Sequence, residues 1–176
     1  MKVYMICGKA RHGKDTVASM IQKIYEEKNL KILNLQYTTY MKEYAKNIVS
    51  WDGNDETKPR TLLQELGNTI RNEIDPLFFI NRMIEDIKVY SYYFDAITVS
   101  DVRMKREIDI PKEKLNNVIS VNVVRPNFDN GLSDKEKKHL TEVDLDNYEN
   151  YDFKIINDGS LEDLEKEVRK MVDYES

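Results

Sequence analysis

Cysteine is almost absent. Cys7 is the only one in 176 residues, so the chain by itself can build neither a disulfide framework nor a cysteine-based zinc site. That usage suits a reducing compartment and predicts a cytoplasmic protein. No apolar run approaches the roughly 20 residues that span a bilayer. The N-terminal stretch MKVYMICGK reaches glycine and charge too soon for a secretory signal. No surplus of basic charge exists either: 27 Lys and Arg against 32 Asp and Glu leave a net charge of -5. General nucleic-acid binding is therefore excluded, and any phosphate binding must be local. No repeat, low-complexity tract or linker divides the chain, and its length suffices for one core without staples. Glycine is scarce too, six in all, but two of the six, Gly8 and Gly13, lie within the first thirteen residues.

Those two glycines follow the apolar run Val3-Tyr4-Met5-Ile6-Cys7, which reads as a strand buried on both faces. After them Val17, Met20, Ile21, Ile24 and Tyr25 recur at helical spacing, predicting an amphipathic helix over about 14–28. The junction Gly8-Lys9-Ala10-Arg11-His12-Gly13-Lys14-Asp15-Thr16 has the GxxxxGK spacing of a phosphate-binding loop, in the strand-to-helix context that such a loop needs. Glycine lets backbone N–H groups turn toward a phosphate, and the helix N-terminus adds its own free donors. Lys14 would then reach the β and γ phosphates as a mobile charge. The residue after the lysine is Asp15 where Ser or Thr is usual; a carboxylate is a good hard ligand for Mg²⁺, and Thr16 is placed for the α phosphate.

Further strands are predicted at Lys31 to Tyr37, Ala96 to Ser100, Val118 to Val124 and Phe153 to Ile156, with a helix from Met41 to Trp51. Leu63, Leu66, Ile70 and Ile74 share a helical face, Asp75-Pro76 interrupts, and Phe79, Met83 and Ile87 continue. A last helix is capped at Ser160. Strands alternating with helices imply a three-layer α/β/α fold: a five-stranded parallel sheet with its ligands at the carboxyl edge.

The sequence resembles the P-loop kinases of the nucleoside monophosphate kinase type, most closely phage and bacterial deoxynucleoside monophosphate kinases. The resemblance rests on Gly8-Lys9 with Gly13-Lys14-Asp15-Thr16, on Tyr40-Met41-Lys42-Glu43-Tyr44-Ala45, on Arg60 to Arg71 as an RxLLQxLGxxxR helix, on Asp101-Val102-Arg103 as DxR, and on His139-Leu140-Thr141-Glu142, similar to HxSE. It implies a single kinase domain with a monophosphate-binding segment at about 40–93 and a lid at about 127–150. It implies phosphoryl transfer from ATP, with Mg²⁺, to a (deoxy)nucleoside monophosphate, with no membrane or nucleic-acid partner and a monomer or homodimer as the working unit. Such chemistry needs arginines that fork onto phosphate oxygens. Arg71 and Arg103 are the candidates for the acceptor phosphate, with Arg60 beside them, and Gln64 for the acceptor base. Asp101 joins Asp15 in holding Mg²⁺ or its waters, and Asn157, in Asn157-Asp158-Gly159, flanks the donor adenine.

Other roles stay open at this level. Arg60 and Arg71 can be solvated charges of an amphipathic helix, and Asp101 can pair with Arg103. His12 contributes backbone rather than catalysis, and Arg11 contacts phosphate, base or solvent. His139 is a loop histidine rather than a base, because the acceptor phosphate arrives ionised. The 127–150 stretch carries no arginine and is dominated by Asp129, Asp134, Glu136, Glu142, Asp144, Asp146 and Glu149, so either it is a solvated acidic loop or its catalytic charge comes from Lys135, Lys137 and Lys138 or from Arg125 at its base. Two other functions fit the same loop: a related small-molecule phosphate kinase, of the phosphomevalonate kinase kind, and a nucleotide-binding regulatory protein without turnover.

Overall fold

A computed structural model describes residues 1–54, 56–133, 137–138 and 140–174. His139 and three of the segment's charges, Asp134, Lys135 and Glu136, lie outside the described residues. The chain runs β1 (Lys2–Cys7), α1 (Lys14–Glu27), β2 (Ile32–Leu35), α2 (Thr39–Val49), α3 (Arg60–Thr69), a π-type turn (Ile70–Ile74) and α4 (Phe78–Tyr90). It continues through β3 (Ala96–Val102), α5 (Arg106–Lys114), β4 (Val118–Val124), α6 (Leu140–Val143), β5 (Phe153–Ile156) and α7 (Leu161–Tyr174). The five strands pair in the order β2-β3-β1-β4-β5, all parallel.

β1 is the central strand, which is why its run is apolar on both faces. Tyr4 and Ile6 point into a core shared with Val17, Ile21 and Ile24 of α1 and Leu164, Val168 and Met171 of α7. Val3, Met5 and Cys7 point the other way, into a core with Met41 of α2, Phe79, Met83 and Ile87 of α4, and Ile108 of α5. This gives the three-layer α/β/α arrangement that the alternating elements imply. After β1 the chain builds β2 and β3 on one side and later β4 and β5 on the other. The carboxyl end of β1 is therefore the topological switch point, the usual place for a ligand.

Three differences from the sequence reading bear on the site. β2 stops at Leu35, and the following loop is gripped by Asp101, which lies inside β3 rather than just after it. The α3 periodicity runs into the π-type turn, where Asp75 N–H reaches Ile70 O at 2.9 Å. α5 was not foreseen, because Pro111 sits in its interior. Proline leaves the carbonyl four residues back without its helical donor, and here the Tyr37 hydroxyl donates to that Glu107 oxygen at 3.1 Å. The polar stretch after β4 also carries anchors of its own: Leu145, Tyr148 and Tyr151 pack on the α4–α5 core, and Tyr148 donates to Asp109 at 2.6 Å. Among the described residues no helix is long and apolar enough to cross a membrane.

Candidate active site

The loop between β1 and α1 is built where left-handed backbone is needed. Gly8 and Gly13 have φ of 143° and 100°, and Arg11 also adopts a positive φ of 61°. A Cβ on Gly8 would collide with the Val123 carbonyl oxygen of β4, and one on Gly13 would lie 2.7 Å from Asn157 Nδ2. The first turn of α1 leaves its N–H groups without helical partners, pointing into the loop. Lys14 is buried and its Nζ donates to Lys9 O at 2.9 Å, so the lysine is folded back on its own loop. Burial, and then the nearby Arg103, push its ammonium down to about 8, against the opposing pull of Glu142, Asp15 and Asp101.

The other loop residues act as braces. His12 Nδ1 accepts the Arg125 N–H at 3.1 Å, and Asn157 Nδ2 donates to His12 O at 3.0 Å. Burial, Lys14 and Lys9 hold the His12 pKa down, so the ring is a neutral acceptor. Arg11 Nη1 donates to Asn130 O at 2.8 Å. Arg125 lies over the Phe128 ring, 4.0 Å from its centroid, and that ring meets His12 edge-on.

The carboxyl end of β3 supplies the second half. Asp101 accepts from Tyr37 N–H at 2.8 Å, Thr38 N–H at 3.0 Å and the Thr38 hydroxyl at 2.8 Å, which ties the β2–α2 loop to the site. Asp101 and Arg103 are not paired with each other. Arg103 Nη1 donates to Glu142 Oε1 at 2.6 Å, while its backbone N–H donates to Glu107 Oε2 at 2.8 Å. Glu107 is fully buried at the start of α5, and desolvation raises its carboxyl to about 7 even though it also accepts the Met104 N–H. Arg71 is half-buried, its guanidinium 4.9 Å from the Phe79 ring centroid and within electrostatic reach of Glu107 and Asp101. It passes over Gly67, where a Cβ would meet both Arg71 Nη1 and Met41 Sδ at 2.9 Å.

The acidic segment closes the site from above. Glu142 Oε2 accepts the Ala10 N–H of the glycine loop at 3.2 Å, Asp146 pairs with Lys9 at 2.8 Å, and Asp144 accepts the Lys105 N–H at 2.7 Å. Between loop and segment lies a cavity of about 220 Å³ lined by Lys9, His12, Phe128, Asp129, Asn130, Lys137 and Glu142.

A sequence profile of the deoxynucleotide monophosphate kinases matches residues 22–168. The chain belongs to that family. The match begins beyond the glycine loop, so the loop and the profile are separate indications of a P-loop phosphotransferase. No curated protein matches the chain in sequence. Solved structures match over nearly the whole chain: the Mycobacterium tuberculosis APS kinase in complex with AMPPNP and APS at 12% identity, TM-score 0.58, covering 98% of this chain and 97% of that one. The Campylobacter jejuni dephospho-CoA kinase matches at 16% identity, TM-score 0.57, covering 98% and 96%. The Aquifex aeolicus shikimate kinase matches at 16% identity, TM-score 0.53, covering 99% and 98%. These likenesses show the fold of P-loop kinases.

In this family member the residues singled out in the sequence divide by environment. Lys14, Asp101 and Arg103 gather at one edge with the glycine loop, and Arg71 approaches from the α3 side. Arg60 and Gln64 are exposed, and Asn157 spends its amide on the loop. Asp15 is exposed on the first turn of α1, next to Thr16. Among the described residues no group of three or more His, Cys, Asp or Glu is arranged to hold a metal. Mg²⁺ keeps waters and takes phosphate oxygens, so it needs no cage of protein ligands. Asp101, with three hydrogen bonds already accepted, suits contact through water. Glu107 carried no sequence signal beyond acidic residues in a first helical turn, and Glu142 was marked only as the end of the His139-Leu140-Thr141-Glu142 stretch, with nothing to place it between Arg103 and Ala10.

Proposed function

We propose that the protein transfers the γ-phosphoryl group of ATP to a deoxynucleoside monophosphate, giving the diphosphate, with Mg²⁺ as the metal. The observation that carries this reading is that one anionic group, the Glu142 carboxylate, takes both Arg103 and the Ala10 N–H of the glycine loop with Lys14 in electrostatic reach, while Asp101 is in electrostatic reach of both Lys14 and Arg71. In the transfer a phosphate oxygen of the acceptor bonds to the γ phosphorus as the bond to the β–γ bridging oxygen breaks and ADP departs. Asp15, and Asp101 through water, would hold Mg²⁺, which would supply charge neutralisation for the donor phosphates, and Thr16 would meet the α phosphate. Lys14 leaves the Lys9 carbonyl to follow the transferred group. Arg103 and Arg71 hold the acceptor phosphate, and no side chain need remove a proton because that phosphate is already ionised. The segment at about 127–150 acts as the lid, excluding water through the contacts that Glu142, Asp144 and Asp146 make. Arg125 and Phe128 form a flat wall beside the loop for the donor base, and the 40–93 segment presents the acceptor.

An ADP-release assay over deoxynucleoside and ribonucleoside monophosphates, with phosphomevalonate as an outgroup, tests this directly. Turnover with at least one deoxynucleoside monophosphate is expected. Transfer to phosphomevalonate alone, or ATP binding with no transfer to any acceptor, would replace the proposal by one of the other two functions.

A further inference from the structure

An acidic lid on a phosphate site is electrostatically costly unless the acids have work there, and Glu142 is where that work concentrates. Its side chain is only 11% exposed, against 40% for Asp146. One carboxylate oxygen takes the Arg103 guanidinium at 2.6 Å and the other takes the Ala10 N–H at 3.2 Å, with Lys14 in electrostatic reach. A backbone amide of the glycine loop, a guanidinium and an ammonium around two oxygens is the donor set of a phosphate. The cavity beside it, about 220 Å³, lies below the range of about 300–1,000 Å³ usual for small-molecule sites, and a polyphosphate that takes the Arg103 guanidinium and the Ala10 N–H must displace Glu142 from them.

We propose that Glu142 is an internal phosphate surrogate that makes phosphoryl transfer depend on an anionic acceptor. Resting on the kinase reading above, the inference adds a specificity-determining role for this side chain. Water and neutral hydroxyl groups carry no charge with which to displace a carboxylate from Arg103, whereas a phosphate dianion does. The donor nucleotide alone leaves Glu142 competing for Arg103, and the acceptor phosphate completes the displacement. Idle hydrolysis of ATP is held down by the same contact.

Calorimetric titration with ATP, and separately with inorganic pyrophosphate, compares the wild-type protein with Glu142→Gln, Glu142→Ala and Glu149→Gln. The two Glu142 variants are expected to bind both probes about tenfold more tightly. Glu149→Gln removes an equal charge from an exposed position of the same segment and is expected to change affinity less than about twofold. This arm needs no acceptor, so it stands even if no deoxynucleoside monophosphate is a substrate. The second arm measures phosphate release from ATP without acceptor, relative to ADP release with the best acceptor; the ratio is expected to rise at least tenfold in Glu142→Gln. Unchanged or weaker probe binding in both Glu142 variants overturns the proposal and leaves Glu142 as a support for Arg103. Equal tightening in Glu149→Gln also overturns it, because bulk charge would then be the cause. Thermal melts of each variant establish that the fold is intact.

Discussion

Lys14 concentrates the energetics of the site at a single residue. A buried ammonium beside Arg103 is poorly solvated, and its pKa near 8 means that the ligand-free protein begins to lose this charge just above neutrality. A bound polyphosphate restores the charge, so binding between about pH 8 and 9.5 should take up as much as one proton. Titration in two buffers of different ionisation enthalpy reads this directly, and Lys14→Met should abolish the uptake. The same variant should lower turnover by about 10²–10³-fold, the usual effect of removing one preorganised donor. Because it relieves a desolvated charge, it should not lower the melting temperature. A Lys14→Met protein that keeps its turnover would remove the glycine loop from the reaction.

At the scale of elements, two contacts between neighbours set the geometry. α5 tolerates Pro111 because Tyr37, in the β2–α2 loop, supplies the missing donor to Glu107 O. Tyr37→Phe should cost about 1–3 kcal/mol, as for a buried carbonyl left unpaired. In a Pro111→Ala background the new N–H serves that carbonyl, and the same change should cost clearly less. Urea denaturation of the four proteins checks this; equal costs in the two backgrounds would mean that the hydroxyl does not support the helix. Gly67 is the second contact. Alanine there would gain about 0.8–1.0 kcal/mol of helix propensity, yet its methyl would push on Arg71 Nη1 and Met41 Sδ. The expected outcome for Gly67→Ala is a little-changed melting temperature with an acceptor KM raised about tenfold, on the order of 1.4 kcal/mol. An unchanged KM would detach Arg71 from the acceptor.

Across the whole molecule, Glu107 links folding to pH. Its pKa is raised to about 7, so between about pH 4.5 and 7 the folded protein holds a proton that the unfolded chain has lost. The contribution is fully present below that window and disappears as pH rises through it. Relative to Glu107→Gln, the wild-type protein should therefore lose about 2–3 kcal/mol of stability between pH 4.5 and 7.5. Denaturation at both pH values measures the difference, and parallel profiles would show that Glu107 is ionised throughout.

Local spacing was enough for much of this protein. A strand buried on both faces, a GxxxxGK junction and helices with one apolar stripe are each encoded within a few residues, because periodicity and backbone freedom are local properties. The parallel α/β/α order follows from their alternation, and the DxR residues fall at the end of a strand that the pattern could find. Which groups share one anion is not local. Arg103 meets Glu142 across 39 residues, Ala10 meets it across 132, and Tyr37 reaches Glu107 across 70. α5 was hidden because its proline reads as a breaker until Tyr37 is brought beside it, and the acidic segment's anchors Leu145 and Tyr148 were hidden among charges. The sequence by itself determined a phosphate-binding loop on a parallel sheet. Only the tertiary structure decided that Glu142 rests on Arg103 and the Ala10 N–H and that Asp146 rests on Lys9, since charge pairing depends on distance in space and leaves no period along the chain.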